Sequence, residues 1–410
     1  MTWRSTAAAL TVALAASAPV RGQVLRSEPI VLADGHLTIG GDVTVSVAPS
    51  DPGFFNYTDY ERSALRLLRI DLTAALNAGD HVAVIGDVRS ENGFEDGLQL
   101  DAPRPYGLYV RIRPWAKRAF DINAGLVPPT FGAFARRAYA SDNFLIGYPL
   151  AYQYLTSLRA DSLPASADEL LKMRGRGWLS NFSIGDQSPD RGVPIASAFA
   201  WDTGVQVHAA NTWLEGIGSV TAGSLAQPLF TDNNSGKQVA GRIVVRPVTG
   251  LVVGASATRA PFVSRTAARG AVGDGHEADF TQTAWGADVE YSRDYYLLRY
   301  ETIVSDWTLP IVRAPMLTDP LRAVSNMIEG RYTVMPGLYL GARFDHLGFS
   351  TITSGTRTDT WDAPVTRIEA GGGYSLQRNL VLKITFQHNR RDGGRVRTEN
   401  LAAAQLVYWF

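Results

Sequence analysis

The sequence predicts an all-β fold: a closed antiparallel transmembrane β-barrel of about 16 strands, with about 14 to 18 compatible with the pattern. Three observations predict it. Apolar and polar residues alternate in runs of about ten along most of the chain. The connections between runs are short and long by turns, and the chain stops on an aromatic residue, Phe410, with no polar tail behind it.

Composition narrows the classes first. The chain has 410 residues, with 39 Lys plus Arg against 39 Asp plus Glu, so a polyanion-binding surface and a disordered chain are both disfavoured. Nucleic acid is not an expected partner. The absence of Cys excludes disulfides, a thiol nucleophile and thiolate metal sites, and suits an oxidising envelope compartment. No window of the mature chain approaches the roughly 20 apolar residues of a spanning helix, so membrane insertion must be by strands.

The N-terminus reads as an address. Arg4 opens a short apolar run, Ala7 to Ala16, followed by small residues, which fits a secretory signal peptide over residues 1–22 with cleavage after Gly22. The barrel then occupies residues 23–410. Only about a dozen mature residues precede the first strand, too few for the plug of an active transporter.

Sixteen alternating runs follow, near residues 36–47, 64–76, 81–89, 106–113, 118–127, 199–208, 213–222, 238–246, 251–259, 283–292, 295–305, 324–334, 337–346, 365–376, 380–389 and 401–410. An even number returns both chain ends to the same side. The tight connections carry turn chemistry: Asn77-Ala78-Gly79-Asp80, Pro247-Val248-Thr249-Gly250, Arg293-Asp294 and Met335-Pro336 are examples. Long polar segments lie between them. A soluble sandwich has no reason to segregate short turns to one end, whereas a barrel with a periplasmic and an outer face does.

Each run separates an apolar from a charged face. In the fifteenth, Leu380, Leu382, Ile384 and Phe386 oppose Lys383, Thr385, Gln387 and Asn389. Arg or Lys against hydrocarbon costs about 2–4 kcal/mol at the midplane, so the charged face must be the lumen. That face mixes signs, with Asp71, Asp87, Asp121, Glu215, Asp288, Glu290, Glu301, Glu329, Asp345 and Glu369 beside Arg69, Arg89, Arg111, Arg242, Arg299, Arg331, Arg343, Arg367 and Lys383. Aromatic residues near strand ends, among them Trp115, Trp201, Trp213, Tyr295 and Tyr374, are candidates for interfacial girdles.

One connection breaks the rhythm. Residues 128–198 form a third outer loop far longer than an ordinary connection. It holds Pro128 to Arg137, an aromatic segment from Phe144 to Tyr148, and a helix near Ser166 to Met173 with a capping box in Ser166 and Glu169. A strand could hide at residues 177–184. The position and length of this loop resemble those of bacterial outer-membrane porins of 16 strands, in which the third loop folds into the barrel and narrows it. More specifically, Gly125, Pro129, Phe131 and Gly132 leading to Arg136 and Arg137 resemble the phosphate-selective porin group. The lysine-rich ladder expected of that group is missing, which argues against strong anion selectivity.

The last ten residues complete the pattern. Ala402, Ala404, Leu406, Tyr408 and Phe410 share one wholly apolar face. This resembles the closing strand of bacterial outer-membrane barrels, in which a terminal Phe behind alternating apolar residues is read by the barrel assembly machinery. The resemblance implies Leu406, Tyr408 and Phe410 as the assembly signal and the bacterial outer membrane as the location.

The resulting expectation is a porin: passive diffusion of small hydrophilic solutes or ions through a water-filled barrel. Its constriction would join Arg136, Arg137 and Asp142 of the loop to Arg111, Arg299, Arg331 and Arg343 of the wall. Outer-membrane lipids are expected partners, a homotrimer is one option, and no cofactor or metal is expected. A non-conducting structural or receptor barrel is the alternative. A barrel hydrolase is a third reading; His208, His346 and His388 are its candidate bases, but His346 and His388 fall in the apolar register and no Gly-x-Ser-x-Gly or His-Glu-x-x-His occurs.

Overall fold

The computed structural model describes residues 25–57, 63–93, 100–137, 139–198, 201–309 and 319–410. The expected signal peptide and the first two residues of the sixth run lie outside them. Sixteen long strands form the wall: β1 Leu37–Val47, β2 Leu67–Ala78, β3 Val82–Gly93, β4 Arg104–Ile112, β5 Ala119–Val127, β6 Asp202–Ala210, β7 Leu214–Thr221, β8 Gln238–Val248, β9 Leu251–Pro261, β10 Thr281–Arg293, β11 Tyr296–Trp307, β12 Leu321–Met335, β13 Leu338–Phe349, β14 Val365–Gln377, β15 Leu380–Arg391 and β16 Thr398–Trp409. Each pairs antiparallel with the next.

Strands β1 and β16 close the ring, from Asp42 opposite Trp409 to Val47 opposite Ala404. Closure gives every wall strand two neighbours, the condition hydrocarbon imposes on backbone polar groups. Because β16 ends level with Asp42, the lower part of β1 would keep a bare edge. The chain covers it by folding back: a short strand, Ile30–Leu32, pairs with Leu37 to Ile39 across a tight turn at Asp34 and Gly35. None of the sixteen alternating runs includes this strand.

The short turns all lie at one end. Gly250 and Gly337 take positive φ of 84° and 85° there, a conformation that suits a residue without Cβ. The expected hidden strand does not join the wall. Its residues form a single 3-10 turn, Gly177–Leu179, and a two-residue strand, Ile184–Gly185, paired with Ser162–Leu163 inside the long loop. The helix is Ala167–Lys172, with Ser166 Oγ accepting from Glu169 N at 3.2 Å. The reciprocal half of the box lands one residue early, on Ala165 N.

The faces divide as the alternation requires. Leu72, Leu108, Ile243, Leu298, Leu340, Ile368, Ile384 and Phe386 are exposed on the outer surface, a continuous apolar belt that only lipid would solvate well. Trp115, Trp213, Tyr295, Tyr296 and Tyr374 are exposed near its short-turn edge. Trp201 instead packs on Tyr106 and Tyr109. The charged set faces inward and pairs across strands. Arg242 on β8 holds Asp288 on β10 bidentately at 2.6 and 2.8 Å, over β9, because Gly254 leaves the gap a side chain would fill. Asp71 on β2 stands between two arginines, with Arg89 Nε on the neighbouring β3 at 2.5 Å from one oxygen and Arg69 Nε on its own strand at 3.2 Å from the other.

The long-loop half of the lumen is filled by a hydrophobic core. Phe131, Phe134, Leu150, Tyr152, Leu158, Leu163, Leu170 and Phe182 of the third loop pack with wall and loop residues such as Ile303, Trp307, Leu347 and Trp361. The first outer loop also turns inward: Arg367 donates to Phe55 O and Arg391 to Gly53 O.

Candidate pore constriction

The third loop leaves β5 through Pro128 and Pro129, which donate no backbone hydrogen bond and release the chain from the wall. It then runs inside the barrel and is fastened to most of its circumference. Thr130 Oγ1 donates to Ser219 on β7 and Gly132 N to Ser256 on β9. Glu301 on β11 accepts from Ala133 N at 2.7 Å and from the Tyr152 hydroxyl at 2.8 Å.

The loop then crosses the lumen within three residues. Arg137 reaches β12 and β10, with Nη1 3.3 Å from Glu329 and Nη2 3.8 Å from Glu290. Tyr139 reaches the far side, where its hydroxyl donates to Asp87 on β3. The next turn, Ala140–Asp142, is clamped: Asp42 on β1 accepts from Ser141 N at 3.2 Å, and Lys383 on β15 donates to Ala140 O and Asn143 O at 2.7 and 2.5 Å. Gly147 lies between Glu369, which accepts from its N–H, and Arg343, which donates to its carbonyl at 2.6 Å. Tyr148 offers its carbonyl to Arg367 and its hydroxyl to Arg69. Wall glycines make room for this path: a Cβ at Gly341 would meet the Phe144 ring at 2.7 Å, and one at Gly286 the Phe131 ring at 2.9 Å.

Most expected site residues meet here. Arg137, Arg299 and Arg343 share Glu329, and Arg299 also lies 5.8 Å from the centre of the Phe144 ring. Arg343 further pairs with Asp345 and Glu369. Arg331 sits over Tyr339, whose hydroxyl donates to Phe144 O. Burial, and then the neighbouring Arg299, pushes the Arg137 guanidinium below its usual range.

Arg136, Arg111 and Asp142 depart from the expected cluster. Arg136 points toward the short-turn end, with Nη1 2.8 Å from Glu215 on β7. Arg111 is a correction, because it does not reach the third loop: it lines a cavity of about 360 Å³ at the short-turn ends of β1 to β4 with His36, Asn77, His81 and Arg113. Asp142 sits in the clamped turn with its side chain exposed, and makes no ion pair among the described residues.

Sequence reasoning missed Asp42, Glu301, Tyr139 and Tyr152 as anchors. The inward register of Asp42 and Glu301 was visible, but nothing local says which loop atom a wall carboxylate will meet. His208 lies 3.4 Å from Glu215 and 3.8 Å from Asp121. Two carboxylates beside it suit a charge network better than a hydrolytic dyad.

No protein-family model matches the chain, and no curated protein matches it in sequence. Solved structures do match in fold. An anion-selective porin from Comamonas acidovorans superposes with a TM-score of 0.54 at 10% identity, covering 91% of this chain and 99% of that one. OmpF of Salmonella typhi, in complex with daunomycin, gives 0.52 at 12% identity over 91% and 97%. The outer membrane channel DcaP of Acinetobacter baumannii gives 0.51 at 12% identity over 94% and 100%. The barrel fold is therefore that of bacterial outer-membrane porins.

Proposed function

We propose that this chain is an outer-membrane porin through which small hydrophilic solutes or ions pass by passive diffusion, with the loop of residues 128–198 as its neck. A 16-strand barrel without such an element would leave a wide aqueous channel. The single observation that carries the reading is the crossing at Arg137 and Tyr139, where a polar strap is held to opposite walls while charged groups beside it stay in contact with water. Arg136, Arg246 and Glu290 are each at least one-third exposed inside the barrel. The neck carries both signs of charge, and passage depends on the size and charge of the solute.

A second reading is favoured by the apolar core in the long-loop half. Phe131, Phe134, Leu150 and Tyr152 are almost wholly buried there, as they would be in a barrel that is closed and serves as a structural or receptor element. Purified protein reconstituted into a planar bilayer separates the two. Stable, stepwise ohmic currents are expected of the porin; an inserted, heat-modifiable barrel that passes no current would refute it.

A further inference from the structure

We infer that the channel prefers anions and holds small oxyanions at a two-arginine subsite built around Glu215; this rests on the porin reading above. A tally of lumen charges by sign suggests no preference, but exposure separates them. On the side of the lumen facing β4 to β8, a chain of contacts runs from Arg113 through Asp121, His208 and Glu215 to Arg136 and Arg246. Its acids lie at the back, with 11% of the Asp121 and 10% of the Glu215 side chain exposed. Its arginines lie at the front: 34% of Arg113, 42% of Arg136 and 37% of Arg246 are open to the lumen. Arg111 is half-buried and makes no ion pair among the described residues. Four guanidiniums thus stand along this strip with two recessed carboxylates, while the exposed Asp34 and Asp80 share the short-turn cavity with Arg111 and Arg113 and leave Arg136 and Arg246 as the strip's uncompensated front. Asp142 and Glu290 oppose them from the loop and from β10, and Arg137 and Arg299 already engage Glu290.

Glu215 also sets the geometry. One carboxylate oxygen takes Arg136 Nη1 at 2.8 Å and the other takes Arg246 Nη2 at 2.5 Å, so a single acid holds a loop guanidinium and a wall guanidinium side by side. Each guanidinium carries five N–H donors and spends one on Glu215, leaving most of the fork for a second acceptor. A carboxylate or phosphate oxygen pair matches that fork in the bidentate manner arginine favours. The low-dielectric wall behind the strip focuses the field into the water path.

Reversal potentials in a potassium chloride gradient across a planar bilayer test this. Wild-type currents are expected to favour chloride. One unit charge about 4 Å from an ion in water changes its local concentration about fivefold, so Arg136→Gln with Arg246→Gln should lower the chloride-to-potassium permeability ratio by about fivefold or more at low salt, less at high salt. Glu215→Gln, which keeps both arginines, should raise the ratio. Inorganic phosphate at millimolar concentration should reduce the wild-type chloride current and leave that of the double variant unchanged. Wild-type currents that favour potassium or neither ion, or a phosphate effect that survives in the double variant, would overturn the inference while leaving the porin reading intact. An absence of any current would overturn both.

Discussion

Replacing Arg343 by Met should cost about 3–5 kcal/mol of folding stability, the range for removing one partner of a buried ionic cluster. Arg343 is 3% exposed and stands among three carboxylates: Nε is 3.0 Å from Asp345, Nη1 3.4 Å from Glu329 and Nη2 2.5 Å from Glu369. It also donates to Gly147 O, so the substitution strips one loop carbonyl of its partner. Met fills most of the volume, which keeps cavity formation out of the result. Glu369 and Asp345 are wholly buried and would be left with Arg367 and the Gly147 N–H as their compensation. Urea unfolding of the barrel in lipid vesicles, followed by tryptophan fluorescence, measures the loss. Adding Glu369→Gln removes one of the stranded charges and should recover about 1–3 kcal/mol, a coupling typical of residues in one network. A single variant within about 1 kcal/mol of wild type, or a double variant in which the two costs simply add, would refute the claim that the arginine holds these carboxylates in place.

Lys383→Met removes the two hydrogen bonds that Nζ donates to Ala140 O and Asn143 O at either end of the clamped turn, each contributing about 0.5–1.5 kcal/mol, and should give larger, noisier single-channel currents from an intact barrel; quiet currents of wild-type size would show that the clamp does not hold the neck. Gly341→Ala places a Cβ 2.7 Å from the Phe144 ring and should make the loop near residues 140–148 accessible to protease in the folded barrel, whereas Gly216→Ala, with open space around it, should not. Deleting Phe410 removes the hydrogen-bond pair with Gly41 and the stack on Tyr408, and should lower the yield of heat-modifiable barrel in the membrane without changing the current per assembled channel; normal assembly would count against its role as a signal.

The wall of this protein is legible in its sequence because a two-residue period is a local property. Leu382, Ile384 and Phe386 could face only lipid once Lys383 had to face the lumen, and the same logic repeated from β1 to β16 determined the strands, their faces and the side on which the short turns lie. Two-residue periodicity carries no information across the lumen. That Arg136 would turn to Glu215 and not join Arg343, that Arg111 would stay clear of the loop, and that Asp42 and Lys383 would clamp one turn between them depend on where a long, non-periodic segment crosses the barrel. Its path follows from packing Phe131 and Phe144 against Gly286 and Gly341, strands far apart in sequence. The order of charges along the chain likewise showed a lumen of both signs. Only the tertiary structure decided which of them meet water, because an acid recessed behind two arginines and an acid facing the channel look the same in a strand of alternating residues.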